Sequence, residues 1–149
     1  MPHHMVYAPG ESDCVVLTAF ESEFSFLKST LSFAGLRVHR AETLEELDFL
    51  LIATGATVLL SDTLTPTCTW RCAAALIADR HPYVAVLLLG EPVDAPYLKD
   101  AFACGVCGVI WRPIEFDVAT DLIRTAQQAS RDRRLIRQER KLTSNVVAR

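Results

Sequence analysis

Seven apolar residues stand in a row at Tyr83-Val84-Ala85-Val86-Leu87-Leu88-Leu89 and stop at Gly90. An unbroken apolar run of this length, with no polar residue on either side of a pleat, reads as a strand covered on both faces, the position of a central strand in a parallel sheet. Two further short runs have the same character. Cys14-Val15-Val16-Leu17-Thr18 follows polar Glu11-Ser12-Asp13, and Thr57-Val58-Leu59-Leu60-Ser61 is closed by Asp62. Leu36-Arg37-Val38-His39-Arg40 alternates like a half-exposed strand, and Val109-Ile110-Trp111 follows a turn framed by Gly105 and Gly108.

Helical patterns separate these runs. Phe24, Leu27, Leu31 and Ala34 recur at helical spacing and Gly35 stops them, which predicts a helix over 21–34. Thr43 and Glu46 form a capping-box pattern ahead of Leu44, Leu47, Leu50 and Leu51. Further helices are expected over 71–80, 95–103 and from Glu115 onward. Five strand-helix units in strict alternation imply right-handed crossovers and one parallel sheet with helices on both faces.

The 149 residues suffice for one domain, and no apolar run approaches the ~20 residues that cross a bilayer. Nothing at Met1-Pro2-His3-His4-Met5 resembles a secretory signal, so a cytoplasmic protein is expected. Five cysteines without an export signal argue for reduced thiols. The expected organisation is a disordered or loosely packed N-terminus over 1–12, a domain over 13–130, and a basic helical extension and tail over 131–149. Charge follows this division: 8 Lys and Arg against 16 Asp and Glu in residues 1–130, but 7 against 2 in 131–149. The body is acidic and the tail basic, which permits contact with an acidic partner, a membrane surface or nucleic acid, or is a solvated helix.

In open parallel sheets ligands bind outside the carboxyl ends of the strands. Thr18-Ala19, Asp62-Thr63, Gly90 and Arg112-Pro113 should therefore converge on one rim. With these residues on one rim, the chain resembles the receiver domain of bacterial two-component response regulators over residues 13–130. The resemblance implies a flavodoxin-like three-layer α/β sandwich with five helices and a five-stranded parallel sheet in the order 2-1-3-4-5. It matches Asp62 to the family's phospho-accepting aspartate, Pro66 to the proline of the following loop, and Arg112-Pro113 to a Lys-Pro pair that often carries a cis peptide bond.

The departures concern chemistry. The family's acidic pair after the first strand falls on Thr18 and Ala19, its switch Ser/Thr on Gly90, and its switch aromatic on Val109. Phosphoryl transfer to a carboxylate needs the phosphate oxygens neutralised, which receivers achieve with Mg²⁺ and a lysine. A hard cation offered Asp62 and a carbonyl alone would be held weakly, with Glu21 as a weak further ligand if the first helix began later. Arg112 brings a planar fork in place of a point charge and can pair permanently with Asp62; the competing reading is that Asp62 merely shapes a turn.

Other constellations compete. Cys68, Cys72, Cys104 and Cys107 could suggest a metal site, but the two pairs fall at opposite ends of the sheet, and isolated buried thiols are expected instead. His39 and His81 have no acid or thiol partner by spacing and are expected at the surface. Ala119, Leu122, Ala126, Ala129 and Ile136 lie near a heptad seam interrupted by Arg133, so the last helix either pairs as a short coiled coil or frays beyond Ala129.

The sequence therefore supports a divergent receiver-like signalling module in a phosphorelay, not an enzyme, acting by protein-protein interaction with weak or no Mg-dependent phosphorylation. A working phospho-acceptor at Asp62, with Mg²⁺, is the alternative, and a small-molecule-binding flavodoxin-like domain ranks third. The expected partner is a sensor kinase or another signalling protein. A homodimer through the C-terminal helix or the fourth and fifth helices is open, as is an output domain outside these residues; nucleic acid is a minor option for this segment alone, and no membrane partner or resident cofactor is expected.

Overall fold

The computed structural model describes residues 12–63, 69–91, 96 and 98–147. Ten elements alternate: β1 (Asp13–Leu17), α1 (Glu21–Ser32), β2 (Arg37–Ala41), α2 (Leu44–Thr54), β3 (Val58–Asp62), α3 (Trp70–Arg80), β4 (Ala85–Gly90), α4 (Leu98–Ala103), β5 (Val106–Trp111) and α5 (Phe116–Val147). All strand pairs are parallel, and the sheet order is β2-β1-β3-β4-β5. This is the order and the three-layer arrangement that the resemblance to receiver domains implies.

The sheet divides the core in two. Val15 and Leu17 of β1 and Leu59 of β3 face Leu47 and Leu51 of α2, Trp70, Ala73 and Ile77 of α3, and Ala101 of α4. The alternate residues Cys14, Val16, Val58 and Leu60 face Leu27 and Leu31 of α1 and Ala119, Ile123 and Ala126 of α5. Side chains on a strand alternate between faces, so a continuous apolar run feeds both layers at once. Every residue of β1, β3 and β4 is buried.

The element ends have local causes. Thr43 accepts from the Glu46 amide at 3.1 Å, while the Glu46 carboxylate reaches back to the Glu42 amide at 2.9 Å, so the cap closes from both sides at the start of α2. Gly55 ends α2 at φ 69°, a left-handed conformation that side chains disfavour. The predicted end of α1 at Ala34 shortens to Ser32, because the chain turns there through a Schellman motif: the Leu36 amide donates to the Leu31 carbonyl at 3.2 Å and the Gly35 amide to Ser32 at 3.0 Å.

Three boundaries differ more. β4 starts at Ala85 rather than Tyr83, since the Val84 amide turns back to the His81 carbonyl at 2.9 Å. α4 begins at Leu98; residues 95 and 97 of its expected span lie outside the described residues, as do Pro66, Cys68 and residues 1–11. β5 begins at Val106, three residues early, so Gly108 belongs to the strand and not to the turn. A register shift between Val86 and Leu87 accommodates it. A Cβ at Gly108 would stand 3.3 Å from Leu87 and 3.6 Å from Leu122, so its absence lets α5 lie close over β4 and β5.

α5 continues as helix past Ala129 to Val147. Contacts to the body hold the extra turns: Arg133 donates to the Val84 carbonyl at 3.2 Å and to Cys107 Sγ at 3.4 Å, and Arg134 lies 4.8 Å over the Tyr83 ring. Ala119 and Ala126, two residues of the expected heptad seam, are buried against the domain's own sheet, whereas Ile136 is exposed. Among the described residues no helix is long and apolar enough to cross a membrane.

Candidate functional site

Asp62 ends β3 wholly buried at the carboxyl rim. One carboxylate oxygen, Oδ2, accepts from the Thr18 hydroxyl at 3.2 Å. The other, Oδ1, is paired with Arg112 Nη2 at 3.1 Å. Arg112 follows β5 directly, and its amide is tied to the Gly90 carbonyl at 2.8 Å, so the backbone fixes where the guanidinium starts. The Arg112-Pro113 bond is cis.

The larger claim on Arg112 comes from a residue that spacing did not single out. Glu23 of α1 accepts from Arg112 Nε at 2.7 Å and from Nη2 at 2.8 Å, a two-pronged fork with both side chains mostly buried. Arg112 Nη1 donates to the Leu89 carbonyl at 3.3 Å. The hydrogen bonds that Arg112 donates to Glu23 raise its pKa well beyond its ordinary value; burial opposes this, and the Asp62 charge adds to it. One permanent cation thus lies between two carboxylates.

Glu21, the expected additional acid, does not take this place. α1 already begins at Glu21, which is exposed. At 3.6 residues per turn Glu23 lies one turn before Leu27, on the buried face, while Glu21 lies about 120° from Leu27. That relation is present in the sequence and was the available signal for Glu23.

The first rim loop is held by its own bonds. The Phe20 amide donates to Thr18 Oγ1 at 3.1 Å, and Arg40 reaches the Thr18 carbonyl at 3.4 Å and the Ala19 carbonyl at 3.0 Å. The Thr18 hydroxyl therefore accepts from one neighbour and donates to Asp62. Thr63 meets the Leu89 carbonyl through both its amide and its hydroxyl at 3.4 Å. Gly90, Pro113 and Thr63 all lie on this rim, and Val109 is half-buried.

This donor set does not fit a hard divalent cation. Such ions want several oxygen ligands with negative charge. Here Thr18 and Ala19 supply no carboxylate, and the second acid of the rim is turned onto Arg112. Among the described residues no three His, Cys, Asp or Glu side chains lie together as a metal site.

Several expectations outside the rim are corrected. His39 meets Asp13 at 2.8 Å, and His81 is buried and meets Asp48 at 2.7 Å, so neither is a free surface histidine. Their partners lie in other elements, which local spacing cannot reveal. Cys72, Cys104 and Cys107 are exposed; only Cys14 of the described cysteines is buried. Burial pushes the Cys14 thiol up to about 12, whereas hydrogen bonds from Thr69 lower that of Cys72. Trp70 is core and Trp111 partly exposed.

No protein-family model matches the chain, and no curated protein matches it in sequence. Solved structures do match. A response regulator receiver domain protein from Clostridium thermocellum superposes with a TM-score of 0.73 at 18% identity, over 80% of this chain and 97% of that one. The signal receiver domain of an HD domain-containing protein from Pseudomonas fluorescens gives 0.75 at 18%, over 88% and 97%. The receiver domain of a response regulator from Bacteroides fragilis gives 0.71 at 12%, over 77% and 95%. This chain has the receiver fold. Within that fold Asp62 stands at the carboxyl end of the third strand, beside the fifth-strand cation, with two carboxylates drawn to Arg112.

Proposed function

We propose that the chain is a divergent receiver-like signalling domain of a two-component phosphorelay, which works by binding a sensor kinase or another signalling protein and takes up phosphate weakly or not at all. The Arg112 guanidinium, bridging Asp62 and Glu23, carries this reading. An in-line attack needs a carboxylate oxygen free to form the new bond and a cation free to neutralise the phosphate. Here Thr18 holds one oxygen of Asp62, Arg112 holds the other, and Glu23 claims most of the Arg112 fork. Gly90 offers no hydroxyl and Val109 no ring to report a phosphate. No catalytic turnover is assigned to this domain.

The rival reading, a working acceptor, draws on the burial of Asp62 beside a cation at the rim. A radiolabelled small phosphodonor with Mg²⁺ separates the two. Stoichiometric label that disappears in Asp62→Asn overturns the proposal; label at background in both proteins is the expected result.

A further inference from the structure

The sheet-facing stripe of α5 changes character where the helix runs off the end of the sheet. Ala119, Ile123, Ala126 and Ser130 are buried along it. At 3.6 residues per turn the same stripe continues through Arg133, Arg134, Arg137, Arg140 and Lys141. The two acids of this segment, Asp132 and Glu139, fall on the opposite side, so the charges are sorted and not mixed.

Beneath the overhang lies the turn before β4. Two adjoining cavities of about 370 and 390 Å³ separate the helix from this turn, and both are bounded by Pro82, Tyr83 and Arg137. Arg133 is spent on the Val84 carbonyl and Cys107, and Arg80 on Asp48 at 2.8 Å. Arg137, Arg140 and Lys141 are exposed and have no acid partner among the described residues. Like charges one helical turn apart destabilise a helix, so the row is favoured by an anion lying along it.

We propose that this cleft binds the phosphodiester backbone of a single-stranded nucleic acid. Guanidinium forks grip phosphate oxygens two at a time, and all but one of the cations on the stripe are arginines. The row from Arg134 to Lys141 is about 10 Å long at 1.5 Å per residue, room for about three phosphates of a stacked strand. Arg134 lies over the Tyr83 ring, which holds a guanidinium plane in the cleft, and unpaired bases stack on such planes as they do on rings. Bases available for such stacking are those of an unpaired strand and not of a duplex. The site lies at the end of the sheet opposite Asp62 and stands independently of the acceptor reading.

Fluorescence anisotropy on the full chain tests this, with labelled twelve-residue oligothymidylate as probe and a blunt duplex and poly-glutamate as competitors. Saturable binding is expected, with a log-log salt slope near −2 from about three contacts at ~0.7 each. Arg137→Glu with Arg140→Glu should weaken it at least tenfold, while Glu139→Gln and Asp62→Asn stay within threefold of the parent. Far-UV circular dichroism checks the helix; if the reversals melt it, Arg137→Gln with Arg140→Gln should still weaken binding at least threefold. Absent binding, unchanged affinity in the folded variants, equal capture of duplex, or displacement by poly-glutamate as effective as by unlabelled strand would each overturn the proposal, the last in favour of an acidic protein partner.

Discussion

Arg112 serves two carboxylates that differ in burial and in geometry. Asp62 is fully enclosed and takes one contact, whereas Glu23 is slightly open and takes a fork. Removing the guanidinium leaves a buried carboxylate without its cation, a change that costs about 3–5 kcal/mol, while neutralising Glu23 alone removes charge-assisted bonds worth about 1.5–3 kcal/mol. Urea titration should therefore rank Arg112→Ala as more damaging than Glu23→Gln. The reverse order would place most of the energy in the bond between α1 and β5. At this scale sequence reasoning reached Asp62, Thr18 and Arg112 because strand ends are punctuated by polar residues, and it bypassed Glu23 because a helix position has to be turned into an angle before its facing is known.

Elements are held by their ends as much as by their faces. The start of α2 depends on Thr43, whose hydroxyl receives the Glu46 amide while the Glu46 carboxylate receives the Glu42 amide. Thr43→Ala should cost about 1 kcal/mol in a thermal or chemical unfolding experiment, and Thr43→Ser should restore most of it. This capping pair was legible in the sequence because both partners lie within one turn. The start of β5 was not, because a glycine inside a strand reads as a turn until the neighbouring helix is seen to press on it; Gly108 sits under Leu122 of α5. The last turns of α5 were equally opaque, since their support comes from Val84 and Tyr83 nearly fifty residues earlier.

For the whole molecule, pH dependence at the alkaline end should trace to Cys14, wholly buried in β1. Burial, with the charge of Asp13 adding to it, moves this thiol from 9.0 to about 12. Above pH 9 the unfolded chain releases the proton and the folded chain keeps it, so stability that is complete below pH 9 falls by about 1.4 kcal/mol per unit until pH 12. Denaturation midpoints across pH 8–11 should show that slope, and Cys14→Ala should flatten it; an unchanged slope would assign it to other groups. In the same range an alkylating reagent should label Cys72, Cys104 and Cys107 of the native protein and spare Cys14. The sequence by itself determined the layer count, the parallel sheet and the identity of the rim, because these follow from the spacing of apolar residues, and spacing is local. Only the tertiary structure decided which charges meet: Glu23 on Arg112, His39 on Asp13, His81 on Asp48, and Arg134 of α5 over the Tyr83 ring. Those pairings join residues far apart in the chain, and electrostatic attraction depends on distance in space, which no local pattern records.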